Sequence, residues 1–294
     1  MVEYNGKKVT IMSCSNCNTK CKHCYVSYKG NFKGKDLYDL CNNLKDKYEL
    51  NINGTEVLLH KDFFPVYDLI GQKRLLTNGI VINEDDDIIE RIKNSSIEMV
   101  AMSFHFGIQD KISDVQKELL ISNIKKLQKN GIKVELMCTI TKDNYNKIKE
   151  ICEYVKSLNV KKVRFINFLS TGNAINLDKK NILTDEQKKE FFEELNYVRN
   201  KYSKEELLIK RCGSFGYDNE HETNFKCSAG VNEVVITPDL NVYPCIYMTK
   251  DQFRIGKYIN GKVMLDKEIK NDCNRCLASD YFNKNIEVEI NNYE

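Results

Sequence analysis

Cys17, Cys21 and Cys24 stand at the spacing C-x3-C-x2-C, and His23 and Tyr25 flank the last thiol. Three thiolates this close can hold three corners of one four-iron four-sulfur (4Fe–4S) cluster. No fourth cysteine follows at the next short spacing, so the fourth iron would stay open to a substrate or cofactor. A zinc knuckle or a group of core thiols is the competing reading. Structural zinc sites take four protein ligands, and this spacing supplies three.

Cys227, Cys245, Cys273 and Cys276 make a second set. The last two form C-x-x-C, Cys227 opens Cys-Ser-Ala-Gly, and Cys245 ends Val-Tyr-Pro-Cys. Four thiolates converging from a hairpin and a C-terminal loop can enclose a second cluster fully, and they can equally build a zinc site. Cys41, Cys138 and Cys152 lie on apolar stripes and read as small core residues. Cys212, in Arg211-Cys-Gly-Ser-Phe-Gly216, lies on no stripe and belongs to neither set. It reads either as a spare loop thiol or as a hydrogen-atom donor, and Cys14 is a second candidate for that role. The chain has 12 cysteines. Its N-terminus lacks an apolar signal core, so metal ligation in a reducing cytoplasm is expected rather than disulfides.

The elements that must position these thiols follow from periodicity. A short β-like run at 7–12 feeds the first loop. Leu37, Leu40, Cys41 and Leu44 recur at i, i+3, i+4 and i+7, predicting a helix over 35–48. Further strands are predicted near 48–53, 74–76, 97–104, 132–140 and 162–168. Helices are predicted between them: one carrying Phe63, Phe64, Tyr67 and Ile70, then 84–93, 112–129 and 143–157. On the fifth strand Val134, Leu136, Cys138 and Ile140 share one face, leaving Glu135, Met137 and Thr139 on the other. Six strands alternating with helices argue an α/β fold with a parallel sheet and right-handed crossovers. A helix over 185–201, capped by Thr184, closes a first domain at 1–202. Residues 203–294 form a linker and a second domain of short strands, with a hairpin turning at Pro238-Asp239-Leu240-Asn241.

The cysteine triplet resembles the radical S-adenosylmethionine (radical SAM) superfamily, in which S-adenosylmethionine chelates the open iron. That resemblance implies a partial (β/α)6 TIM-type barrel, with its active site at the C-terminal ends of the strands. The second cysteine set looks like the twitch domain, the shorter form of the SPASM domain, and implies one auxiliary 4Fe–4S cluster. The family carries Gly-Gly-Glu-Pro after its second strand. Gly54-Thr55-Glu56-Val57 keeps the first glycine and the acid but neither the second glycine nor the proline. By the same resemblance Gly54, Thr55 and Glu56 would hold the methionine amino group. Asn78, Ser103 and Thr139 would line the rim at the ends of strands three, four and five, and His23 and Tyr25 would stand near the cofactor. Each of these also fits an ordinary turn or strand end.

The resemblance further implies one-electron cleavage of S-adenosylmethionine to a 5′-deoxyadenosyl radical, which abstracts hydrogen from a C–H bond. A peptide substrate is expected, with oxidative cross-linking or epimerisation as the outcome. The alternatives are dehydrogenation or epimerisation of a small molecule such as an aminoglycoside precursor and, more distantly, a non-catalytic iron–sulfur or zinc regulator. A reductant such as flavodoxin or ferredoxin is expected as partner. The chain is 30% charged with a net charge of +3, and its lysines are spread between acids, which argues against nucleic acid as a partner. No apolar run approaches the ~18–20 residues that span a bilayer, so no membrane association is expected.

Overall fold

The computed structural model describes residues 1–60, 62–85, 87–104, 114–177, 181–212, 215, 226–271 and 275–293. In chain order, β1 (Val2–Glu3) and β2 (Lys8–Met12) precede α1 (Gly34–Leu44), β3 (Glu49–Asn53) and α2 (Phe63–Ile70). Then come β4 (Arg74–Thr77), α3 (Ile80–Glu84), α4 (Ile88–Lys93), β5 (Met99–Ser103), α5 (Asp114–Lys129) and β6 (Lys133–Ile140). These are followed by α6 (Ile148–Ser157), β7 (Lys162–Asn167), α7 (Asp185–Lys201) and β8 (Leu208–Cys212). The last stretch holds β9 (Glu233–Ile236), β10 (Asn241–Tyr243), β11 (Gly256–Ile259), β12 (Lys262–Leu265), β13 (Lys267–Ile269), α8 (Leu277–Lys284) and β14 (Ile290–Asn292). Contacts group the chain into two compact units: 1–72 with 169–176 and 225–294, and 73–168 with 177–224.

The first unit is built on a seven-stranded sheet in the order β1-β12-β11-β10-β9-β2-β3. β2 pairs in parallel with β3 on one side and with β9 on the other. The remaining pairs are antiparallel. Val9, Thr10, Ile11 and Met12 are all buried. This is the signature of a strand covered on both faces, which reads as a continuous apolar run instead of an alternation. α1 buries the expected stripe of Leu37, Leu40, Cys41 and Leu44. At the edge, Gln72 donates its amide to the Ile52 carbonyl at 2.9 Å and accepts the Ile52 N–H at 2.6 Å. A side chain thus satisfies backbone groups that a neighbouring strand would otherwise pair.

The second unit carries five parallel strands in the order β4-β5-β6-β7-β8. The α/β class and the parallel sheet match expectation, and the described strands form open sheets with no closed barrel. Three local expectations are corrected. The helix predicted over 84–93 begins later, as α4 at Ile88, because Asp85 is extended (φ −123°, ψ 105°), and a separate short helix, α3, lies ahead of it. The helix predicted from 143 starts at Ile148, since Asn144 accepts the Thr141 N–H at 2.8 Å and donates to the Thr139 carbonyl at 3.0 Å, holding a turn. β8 lies in the stretch expected to be a linker, yet it pairs with β7 as the last strand of the sheet. α7 starts where predicted, with Thr184 and Gln187 forming a reciprocal capping box.

Glu135 of β6 is wholly buried. It receives Arg164 Nε at 2.6 Å, Arg74 Nε at 2.7 Å and Lys162 Nζ at 3.2 Å. Burial pushes its carboxyl up, but the charges and hydrogen bonds of Arg74 and Arg164 outweigh burial and hold it below the usual carboxylate range. No described helix is long and apolar enough to cross a membrane.

Candidate metal centre

β2 runs straight into the first cysteine loop, and the loop is stitched to the end of β3. The Asn53 carbonyl accepts both the backbone N–H of Ser13 at 2.6 Å and its hydroxyl at 2.9 Å. Thr55 N–H donates to the Cys14 carbonyl at 2.9 Å, and Glu56 N–H donates to the Asn16 carbonyl at 3.2 Å. The Tyr28 hydroxyl reaches the same Cys14 carbonyl at 2.7 Å. Gly54 is required at this crossing, because a Cβ there would stand 2.8 Å from Cys14 Sγ and 2.9 Å from Ser13 Oγ.

Within the loop one hydroxyl touches two thiols: Thr19 Oγ1 lies 3.0 Å from Cys17 Sγ and 3.5 Å from Cys21 Sγ. Burial pushes the Cys24 thiol above its ordinary range, and the nearby Cys21 and Cys17 sulfurs push it the same way. The three thiols therefore share one electrostatic neighbourhood. Among the described residues no three histidine, cysteine or acidic side chains are gathered tightly enough for a single ion. A four-iron cluster distributes its thiolate ligands over separate irons and calls for a wider set. The donor set, three soft thiols and no further cysteine in the loop beyond Cys24, fits that group.

The segment after β7 closes over this loop. Asn173 N–H donates to the Cys24 carbonyl at 2.8 Å, and Asn173 Nδ2 reaches the Cys21 carbonyl at 3.4 Å. Gly172 has φ +61°, and a Cβ there would collide with the backbone of Cys24 and Tyr25. Asn53 Oδ1 and Thr171 Oγ1 are buried without a hydrogen-bond partner. Such acceptors cost ~1–3 kcal/mol each unless a polar group meets them. Both belong to segments bound to the cysteine loop, so the loop's surroundings suit a polar ligand. Sequence reasoning missed Thr19, Asn53, Thr171, Gly172 and Asn173. The signal available was Thr171-Gly172-Asn173, four residues past the end of a parallel strand.

Glu56 is wholly buried, and its Oε1 accepts the Leu58 N–H at 3.2 Å, capping a single 3-10 turn over Val57–Leu59. Its carbonyl accepts the Cys14 thiol at 3.5 Å. Gly54, Thr55 and Glu56 are therefore brought to the cysteine loop. In the second unit, Asn78 follows β4 and accepts the Ile80 N–H at 2.9 Å. Ser103 ends β5 opposite Met137, and Thr139 stands two residues beyond on β6. Thr139 pairs with Ile166, and Ile166 pairs with Cys212. Register therefore sets Thr139, Ile166 and Cys212 in one row on one face, at the C-terminal end of the sheet.

The second cysteine set also gathers in the first unit. Cys245 follows β10, and Cys276 is the N-cap residue of α8. Burial drives the Cys245 thiol well above its ordinary range, and Cys276 and Cys227 reinforce this. Asn271 Nδ2 donates to the carbonyls of Cys227 at 3.2 Å and Ala229 at 3.0 Å, fixing the loop that carries Cys227. Cys273 lies outside the described residues. Cys245 and Cys276 pack against the same apolar cluster, and Cys227 lies near enough to act on Cys245. Next to them, Tyr25 meets Tyr247 edge-on, with ring centroids 4.7 Å apart.

No protein-family model matches the sequence, and no curated protein does. Solved structures do. SuiB of Streptococcus suis, determined with bound S-adenosylmethionine, is 15% identical with a TM-score of 0.66, over 94% of this chain and 65% of SuiB. The chain thus spans just under two thirds of that protein's length. anSMEcpe with bound AdoMet is 17% identical with a TM-score of 0.64, over 85% of this chain and 77% of the other. The complex of anSMEcpe with AdoMet and the Cp18Cys peptide gives 17% and 0.62, over 85% and 76%. At such identities the likeness speaks to the fold.

Proposed function

We propose, from the premise that this chain has the fold of the radical SAM enzymes, that it cleaves S-adenosylmethionine and abstracts hydrogen from a peptide. The observation that carries the reading is the Cys17–Cys21–Cys24 loop at the end of β2. There a single threonine hydroxyl touches two thiols, and the Gly54–Glu56 turn is bound to the loop stem. Cys17, Cys21 and Cys24 would hold the cluster. S-adenosylmethionine on its open iron would supply one-electron carbon–sulfur cleavage and a hydrogen-abstracting adenosyl group.

The chain's own residues divide the remaining work. Glu56 keeps a carboxylate beside the loop stem, where an ammonium group would find its counter-charge. Asn53 and Thr171 offer buried acceptors. Gly54 and Thr55 form the turn, and His23 and Tyr25 flank Cys24. By the resemblance, Asn78, Ser103 and Thr139 would also be cofactor residues. Cys227, Cys245 and Cys276, with Cys273, would hold an auxiliary 4Fe–4S cluster. A peptide substrate is preferred because anSMEcpe has been solved with a peptide bound. A flavodoxin or ferredoxin would deliver the electron.

One observation favours epimerisation over oxidation. Cys212 ends β8 in the same row as Thr139, which the resemblance would make a cofactor residue. A thiol there could return a hydrogen atom to a substrate carbon.

The test is anaerobic reconstitution with iron and sulfide, then reduction with dithionite. Wild-type protein is expected to bind iron and to form 5′-deoxyadenosine, and Cys17→Ala to form none above background. Equal yields from the two, or a colourless zinc protein, overturn the reading.

A further inference from the structure

The two cysteine sites sit on one continuous piece of structure, and the contacts between them are specific. Tyr25, next to Cys24, meets Tyr247, two residues past Cys245, with centroids 4.7 Å apart and planes at 62°. Two residues further along both loops, the Ser27 and Thr249 hydroxyls share a hydrogen bond of 2.9 Å. The loops 24–28 and 245–249 therefore run side by side. Behind them, Met12 at the end of β2, Tyr28, Tyr243 and Met248 form one apolar cluster, against which Val26, Cys245, Ile246 and Cys276 pack. The strands feeding the loops are tied as well, since β2 pairs with β9, and β9 with β10. Close-packed groups of this kind transmit a displacement instead of absorbing it.

We propose that Tyr25 and Tyr247, braced by Ser27 and Thr249, are positioning residues that couple the two cysteine sites. Occupancy of the Cys227–Cys245–Cys276 site sets the conformation of the loop carrying Cys17, Cys21 and Cys24. The inference rests on the function proposed above and deepens it, because the second site becomes an organiser of the first. The direction follows from the surroundings. Cys245 and Cys276 pack against the apolar cluster, while the first loop is half-exposed from Cys17 to Tyr25.

Hydrogen exchange over residues 17–30, iron content and the electron paramagnetic resonance spectrum of the reduced first centre test this in four proteins. These are wild type, Cys245→Ala/Cys276→Ala, Tyr247→Ala and Tyr247→Phe. The double variant is expected to exchange faster over 17–30 and to change the first centre's spectrum. Tyr247→Ala is expected to raise that exchange about two- to tenfold, the range an aromatic pair supplies, while keeping its second-site iron. Tyr247→Phe, which keeps the ring, is expected to match wild type. Should Tyr247→Ala exchange over 17–30 as wild type does, or should deleting the second site leave the first centre's spectrum unchanged, the coupling is refuted. The proposed function fails separately, through a wild-type chain that holds no iron. In that event the same exchange comparison on metal-free chains still decides whether the rings couple the loops.

Discussion

Asn173 donates its backbone N–H to the Cys24 carbonyl at 2.8 Å, so the segment after β7 is pinned to the last thiol of the triplet. The pinning depends on Gly172, whose φ of +61° and lack of a Cβ let the two backbones meet. Gly172→Ala is expected to cost ~1–3 kcal/mol from left-handed strain and collision. It should also lower the iron retained by the triplet while leaving the second site loaded. Thermal unfolding and site-resolved iron quantitation check this.

Glu135 gives a pH prediction. Its folded pKa lies below the unfolded value, so its stabilisation is present above ~4.3 and is lost as pH falls through the lower folded value. Glu135→Gln leaves Arg74, Arg164 and Lys162 without their counter-charge. At neutral pH the cost is roughly 2–4 kcal/mol, the upper end moderated because the cations are partly exposed. The gap between wild type and variant should narrow as pH drops below 4, measured by denaturant unfolding at successive pH values.

Gln72→Leu removes the amide that meets Ile52 at the edge of β3. The Ile52 carbonyl keeps the Tyr67 hydroxyl at 3.1 Å, but its buried N–H loses its acceptor. A loss of ~1–3 kcal/mol is expected, with faster exchange of the Ile52 amide as the local readout.

Return of a hydrogen atom by Cys212 predicts a product labelled at one inverted carbon when turnover is run in heavy water. Cys212→Ala should then still cleave S-adenosylmethionine but release unlabelled or oxidised peptide. Mass spectrometry and chiral amino-acid analysis separate the outcomes, and unchanged epimer yield would remove Cys212 from the mechanism.

What the sequence disclosed and what it hid divide along the line between local and distant interactions. The start of α7 was readable because Thr184 and Gln187 cap the helix within three residues of each other. The stripe of α1 was readable because its period is set by one turn of helix. The cysteine triplet was visible because its three thiols lie within eight residues. By contrast, β8 could not be joined to the sheet, because nothing near Leu208–Cys212 announces a partner, which is β7 more than forty residues upstream. The roles of Gly172 and Asn173 were hidden for the same reason, since what they touch lies at Cys21–Tyr25. α3 was missed because its five residues are too few to show a helical period.

The pairing of β2 with β9 has a consequence for biogenesis. The strand that leads into the cysteine triplet acquires its second neighbour only from Glu233–Ile236, and β1 acquires its partner only from Lys262–Leu265. On the ribosome the nascent N-terminal segment therefore waits, unpaired on one side, until most of the polypeptide has emerged. A truncated translation product would carry the complete cysteine triplet on an unfinished sheet.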